Sequence, residues 1–357
     1  MQNQLYTREK IILFFYILSF SFIGCFRSNK AVRGVWLTNV DSDALNSKEN
    51  IIQTVEQCKS LRINTIFVVT WNKGMTQFPS RIMKNFTGVE IDTLFTRRDP
   101  LKELIDEAHK RNIKVIAWFE FGFSSSYKLN GGRIIELKPH WAAKDTSGNL
   151  VSKNGFEWMN GFHHEVQDFI LALIMEVIYN YKIDGIQGDD RLPAMPSEGG
   201  YDDFTIELYK SEHDGQEPPK NCKDSVWIDW RAKKLNDFMK RIYKTVKTQN
   251  PKLIVSVAPS IFPWSKEEYL QNWPTWLNEG YVDLICPQLY RYDIDKYENL
   301  LKGIVNDQID RKNIHKFYPG ILLKVGSYSP SVDFLHQMIS VNRKYGINGE
   351  VFSFTKD

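Results

Sequence analysis

Eight short runs of apolar, β-branched and aromatic residues, separated by segments of helical period, constrain this chain more than any other feature. They are "VRGVWLTN" (32–39), "NTIFVVTW" (64–71), "KVIAWFEF" (114–121) and "DGIQGDD" (184–190), then "LIVSVAPS" (253–260), "VDLICPQLY" (282–290), "FYPGILL" (317–323) and "GINGEVFSF" (346–354). Runs this continuously hydrophobic are what parallel strands look like when helices cover both faces of a sheet.

The segments between them read as helices. "KENIIQTVEQCKSLR" places Ile51, Ile52, Val55, Cys58 and Leu61 on one face. "DPLKELIDEAHKRN" offers Asp99 as N-cap and Pro100 at the first helical position, and buries Leu101, Leu104, Ile105 and Ala108. "HEVQDFILALIMEVIYNY" feeds the fourth strand, and "WIDWRAKKLNDFMKRIYKTVKTQNP" feeds the fifth and stops at Asn250-Pro251. "VDFLHQMISVNRKYG" feeds the eighth and ends at Gly346.

Eight alternations predict an α/β (β/α)8 TIM barrel, a single domain with long loops after strands three and four. The rival is a doubly wound open sheet, but "LTNVDSDALN" after strand one lacks the Gly-rich phosphate loop of that fold. The two long connections carry "NGGR" and "DTSGN" in one and "PAMPSEGGYDD" and "DGQEPP" in the other. Loops of such length usually carry function, and both follow strand C-termini, where barrel enzymes hold their sites.

The N-terminus has another character. "MQNQLYTREK" brings Arg8 and Lys10 ahead of "IILFFYILSFSFIG" (11–24), an uncharged run too short for a stable bilayer-spanning helix. "FIGC" resembles a bacterial lipobox, with Phe22 in place of the usual Leu, and makes Cys25 the candidate lipidation site. The expected layout is a signal peptide over 1–25, a tether over 26–30 and the barrel over 31–357, lipid-anchored and facing the periplasm or exterior. An uncleaved anchor helix is the alternative, and either places the barrel outside the cytoplasm. A net charge of +3 with no Lys/Arg-rich run gives no footprint for nucleic acid. Cys58, Cys222 and Cys286 are scattered, as free thiols are, with neither disulfide nor metal spacing.

The strand ends carry the chemistry. "DGIQGDD" drives an apolar, glycine-relieved strand into adjacent carboxylates, which need a cationic partner or a shifted pKa. Period two turns Gln187, Asp189 and Arg191 to one side and leans Asp190 to the other; Asp184, at the opening turn, is read as structural. In "AWFEFG" on strand three, Glu120 is a lone acid among aromatics, where desolvation favours the protonated form of a general acid, and Trp118 stands beside it. Strand six offers Gln288, Tyr290, Arg291 and Asp293. Strand one offers Trp36 and Asn39, and strand two Trp71 and Asn72. "EWMNGFHHE" adds Trp158, Asn160, His163 and His164, and a later segment adds Trp264, Trp273 and Trp276. Ten tryptophans beside carboxylates and amides describe a sugar cleft, in which ring faces stack and hydroxyls take hydrogen bonds.

Here the sequence resembles the glycosyl-hydrolase-like 10 family of bacterial secreted or lipid-anchored barrel proteins. The segments carrying the likeness are "RGVWLTNVDS", "VIAWFEFGF", "HWAAKDTSGN", "YKIDGIQGDDRLPAMPSEGGYD" and "VDLICPQLYRYD". The resemblance implies a (β/α)8 fold and glycoside hydrolysis, with characterised relatives acting on peptide-stripped peptidoglycan glycan strands. It points to Trp36, Glu120, Asn160, Gln187, Asp189, Asp190, Arg191, Gln288, Tyr290 and Arg291. The chain departs from the family's "NPFHPE" with "NGFHHE", so Gly161 and His164 replace two prolines. It also differs from barrel chitinases, whose strand-four D-G-x-D-x-D-x-E has its terminal acid where Arg191 stands here.

The expected function is therefore hydrolysis of an amino-sugar glycan by two carboxyl groups, without a cofactor. Asp189 is the expected nucleophile or base, with Glu120 or Asp190 as proton donor. Carboxyls about 5–5.5 Å apart would give retention and about 6.5–9.5 Å inversion. Two other readings stay open: a non-catalytic glycan-binding lipoprotein on the same barrel, and a metal-dependent deacetylase ligated by His163, His164 and Asp189.

Overall fold

The computed structural model describes residues 31–40 and 42–354, so the expectations for the signal peptide, Cys25 and the tether lie outside the described residues. All eight expected strands form one parallel sheet: β1 (Arg33–Leu37), β2 (Thr65–Val69), β3 (Lys114–Phe119), β4 (Gly185–Asp189), β5 (Ile254–Ala258), β6 (Leu284–Ile285), β7 (Gly320–Leu322) and β8 (Glu350–Phe354). Neighbours in sequence are neighbours in space, and β1 pairs with β8 in register from Arg33 opposite Glu350 to Leu37 opposite Phe354. Between β6 and β7 the ladder survives only as parallel bridges, Ile285 with Phe317 and Gln288 with Gly320, which close the ring. β6 is shorter than its apolar run because Pro287 has no amide hydrogen to give the ladder.

The connecting helices follow from caps and stripes. In α1 (Lys48–Ser60) the Ser47 hydroxyl accepts from the Asn50 amide at 3.0 Å, and Ile51, Val55 and Cys58 are buried. Leu61, expected on that face, lies past the helix end and is 63% exposed, while Ile52 is half-buried. α2 (Pro100–Lys110) begins as expected, with Asp99 Oδ1 accepting from the Lys102 amide and all four expected apolar residues buried. α3 (His164–Asn180) and α4 (Ser225–Gln249) lead into β4 and β5, and α4 stops at Asn250. Two single-turn helices, Trp264–Tyr269 and Trp273–Asn278, join β5 to β6.

Between β6 and β7 lies a helix the sequence reading passed over, α5 (Ile294–Gly303). Its cap is Asp293, whose carboxylate accepts from the Lys296 amide at 2.9 Å, so Asp293 is a helix start and not a residue of the barrel mouth. α6 (Val332–Lys344) precedes β8, with Gly346 at φ +77° just beyond it.

The long connections are ordered structures. After β3 the chain forms a three-stranded antiparallel sheet with Phe156–Trp158 between Ser124–Tyr127 and Ser152–Lys153. After β4 the chain wraps round Arg231, fully buried on α4, whose guanidinium donates to the carbonyls of Ser197 and Gly199 at 2.6 Å each and of Cys222 at 2.7 Å. Among the described residues no carboxylate bonds it, and burial lowers its pKa to about 10. Cys58 and Cys286 are buried free thiols and Cys222 is a half-buried one. No helix of the described residues is long and apolar enough to cross a membrane.

Candidate active site

The carboxylates of strand four reach the barrel mouth because the chain turns sharply after Asp189. A Cβ on Gly188 would lie 2.2 Å from the Leu192 carbonyl oxygen, so only glycine permits that return. Gln271 pins the turn, its Nε2 donating to the Asp189 carbonyl at 2.9 Å and the Pro193 carbonyl at 3.2 Å. At the other end of β4, Asp184 Oδ2 accepts from the Val115 amide at 2.8 Å and meets His109 Nε2 at 2.9 Å, a structural stitch. One layer below the mouth, Gln187 is fully buried; its Oε1 accepts from Trp36 Nε1 at 2.7 Å, and its Nε2 donates to Ser256 Oγ at 2.9 Å. It orients Trp36 and does not line the cavity.

A cavity of about 220 Å³ opens above that layer, lined by Trp36, Trp118, Glu120, Asp189, Asp190, Arg191, Gln288, Tyr290 and Ser353. Arg191 is its hub. Nη2 lies 3.3 Å from Asp189 Oδ2 and 3.4 Å from Glu120 Oε1, and Nε donates to the Glu120 carbonyl at 3.1 Å. Nη1 lies 3.0 Å from Asp190 Oδ1, close enough for an ion pair but outside hydrogen-bonding geometry. The guanidinium sits 4.5 Å from the Phe156 ring centroid, over a side chain supplied by the strand-three excursion. The Arg191 backbone is held as tightly: Gly122, at φ +53°, comes so close that a Cβ there would lie 1.9 Å from the Arg191 carbonyl oxygen.

Three carboxyls now face one cation. Asp189, 3% exposed, accepts from Gln288 Nε2 at 3.2 Å. Burial pushes its pKa well above the usual carboxylate range, neighbouring Asp190 pushes the same way, and Arg191 only partly opposes them. Burial also raises Glu120, against the pull of Arg191. Glu120 Oε2 accepts from Asn72 Nδ2 at 2.9 Å, and Asn72 also donates to Asn39 Oδ1 at 2.9 Å. These two asparagines form a row behind the acid. Burial would depress Arg191, but the three carboxyls outweigh it and raise its pKa. Tyr290, raised by burial, is hydrogen-bonded with Ser353. Trp118 Nε1 is buried without a protein acceptor among the described residues.

Several expected residues lie elsewhere. Asn160 is fully buried, donating to Asp202 Oδ1 at 2.8 Å and Thr205 Oγ1 at 2.9 Å while its own Oδ1 accepts from the Phe162 amide. His163 caps α3, its Nδ1 accepting from the Glu165 amide at 3.2 Å, and stacks on His164. Neither lines the cavity; both order the loop ahead of α3. Arg291 donates to the Tyr290 carbonyl at 2.8 Å and is also outside the lining. The tryptophan-walled cleft shrinks to Trp36 and Trp118. Trp71, Trp158, Trp273 and Trp276 are all buried, and three of their indole N–H groups are bonded inside the fold. The set His163, His164 and Asp189 is not brought together. Among the described residues, the side chains that cluster at metal-ligand spacing are His140, His163 and Glu165, away from the cavity.

The sequence reading missed Ser353, Phe156 and Gln271. Ser353 is a lone hydroxyl between two phenylalanines of the last strand, and period two would have flagged it; Phe156 comes from the short central strand of the β3 excursion and Gln271 from a loop, neither long enough to show a period.

Comparison with known proteins is informative at this point. A family profile described as Glycosyl hydrolase-like 10 matches residues 31–320. The chain is 25% identical over 323 residues to glycosyl hydrolase DigH of Escherichia coli strain K12, covering 75% of this chain and 69% of that protein. It is 23% identical over 380 residues to glycosyl hydrolase YngK of Bacillus subtilis strain 168, covering 94% and 70%. Among solved structures, the glycoside hydrolase domain of PgaB (BpsB) from Bordetella bronchiseptica superposes with a TM-score of 0.68 at 15% identity, over 91% of this chain and 94% of that one. Likeness at that identity speaks for the fold.

Proposed function

Because the chain belongs to the glycosyl hydrolase-like 10 family, we propose that it hydrolyses a bacterial cell-envelope polysaccharide, with peptidoglycan glycan strands as substrate. The observation that carries this is the grouping of Asp189, Asp190 and Glu120 round one guanidinium in a cavity walled by Trp36 and Trp118. Two carboxyls at different stages of protonation are what acid and base catalysis of acetal cleavage requires.

The roles follow from burial and differ from those expected of the sequence. Asp189, the most enclosed, with its pKa pushed well above the usual carboxylate range by burial, is the donor to the leaving oxygen. Asp190, ion-paired with Arg191 and more open to solvent, is the carboxylate that acts as base or nucleophile. Glu120, braced by Asn72, shares Arg191 and fixes its plane. Gln288, Tyr290 and Trp118 Nε1 are the hydrogen-bonding groups left to orient hydroxyl or acetamido substituents. Export and lipid anchoring through Cys25 belong to the same proposal, since such a glycan lies outside the cytoplasm.

The test is incubation with intact and peptide-stripped cell-wall glycan, followed by mass analysis. Hydrolysis adds one water per cut. Products without that water, or saturable binding with no product, would replace this reading by lytic cleavage or by a glycan-binding role.

A further inference from the structure

The mouth holds more aromatic surface than the cavity uses. Outside the lining stand two pairs of rings. Tyr127, 43% exposed, packs edge-on against Phe156 with centroids 5.1 Å apart. Tyr292, 63% exposed, packs edge-on against Tyr328 at 4.6 Å. The first pair adjoins the cavity, since the Arg191 guanidinium lies over Phe156, and the second follows the cavity residue Tyr290 by two positions in the chain. Tyr127 comes after β3, whereas Tyr292 and Tyr328 come after β6 and β7. In a closed ring of eight, β3 lies three strands from β6 and four from β7, so the loops that carry the two pairs leave the ring from well-separated strands.

We propose that these pairs are outer sugar subsites, one on each side of the cavity, and that the protein binds a polymer across its mouth and cuts at internal bonds. This rests on the reading of the mouth as a glycosidase site. Contiguous exposed aromatic surface marks recognition sites, and an edge-on partner holds each tyrosine ring in place at little entropic cost, with the Lys128 ammonium 5.1 Å from the Tyr127 ring centroid. A pyranose presents an apolar face of axial hydrogens to such a ring, and its neighbours in the chain reach the cavity. The occupant is thus further units of the same glycan strand. A site for terminal units needs a blocked end, whereas here both flanks offer ring surface.

The experiment measures binding of disaccharide and hexasaccharide fragments of peptide-stripped peptidoglycan to the Asp189→Asn protein, then to the same protein carrying Tyr127→Ala or Tyr292→Ala. The hexasaccharide is expected to bind at least tenfold more tightly than the disaccharide. Each alanine should lower that ratio roughly tenfold, the scale of one lost aromatic contact, and Tyr→Phe at either position should restore it. Equal affinity for both lengths, or an unchanged ratio in the alanine variants, overturns the inference even with hydrolysis intact. As a second measure, the parent enzyme on long strands should release fragments of mixed length early, and release of terminal units alone also overturns it. Length-dependent binding with no product from the parent enzyme would sink the glycosidase reading and leave the subsites standing. No binding at either length would sink both.

Discussion

The Asp189 carboxyl is pushed well above the usual carboxylate range chiefly by its burial, with Asp190 adding to the effect and Arg191 opposing it. Its proposed role as donor makes a prediction that separates it from its neighbour. Asp189→Asn should lose at least a thousandfold in rate on the natural glycan and much less on an aryl glycoside whose leaving group needs no proton; Asp190→Asn should lose comparably on both. Initial rates with the two substrates decide it, and equal losses in Asp189→Asn would remove the donor role. The same titration has a stability consequence. The folded protein binds the Asp189 proton more tightly than the unfolded chain does, so below the ordinary carboxylate pKa, about 4, the residue costs nothing. Stability is then lost as pH rises from there through the raised value. Asp189→Asn should therefore melt above the parent at pH 7 and the gap should close near pH 4, as thermal unfolding across that range would show. A gap that persists at low pH would mean that packing and not ionisation sets it.

The β3 excursion is tied to the β4 turn at two points, the Phe156 ring under the Arg191 guanidinium and Gly122 against the Arg191 carbonyl. Gly122→Ala must move one backbone or the other, because its φ is positive and its Cβ would overlap an oxygen. The expected result is a fall in kcat of tenfold or more and a loss of about 1–3 kcal/mol. The comparison is Asp99→Ala, which removes the cap of α2 and the acceptor of the Tyr181 hydroxyl without touching the cavity lining, and should cost about 1–2 kcal/mol with kcat unchanged. Denaturant titration and steady-state rates on both variants check the pair. Element by element, the repeating parts of the chain were readable: eight runs became eight strands, and Asp99-Pro100 began a helix. What periodicity does not reach was misread. Asp293 looked like a ligand of the mouth because α5 behind it was not seen, and the connection after β3 looked like loop although it contains three strands.

The barrel is closed by its two ends, β8 lying between β1 and β7. Ser353 of the cavity comes from that same strand. Deleting residues 350–357 would open the ring, leaving β1 and β7 each unpaired along one edge, and should abolish cooperative thermal unfolding together with activity. A shortened chain that still melted in one sharp transition would contradict this account of closure. The deletion differs in kind from Tyr127→Ala or Tyr292→Ala, which leave the ring of strands intact.

The sequence alone determined the barrel, because hydrophobic period and helix capping are local and survive reading in one dimension. It also placed the three acids and Arg191 at strand ends, where the register of one strand is enough. It did not determine which tryptophans face solvent, that Asn160 and His163 serve a helix start, or which acid is most deeply buried. Those depend on what lies across the mouth from each side chain: burial, the shared guanidinium and the ring beneath it are contributed by segments distant in the chain, and only their convergence in space fixes the electrostatics.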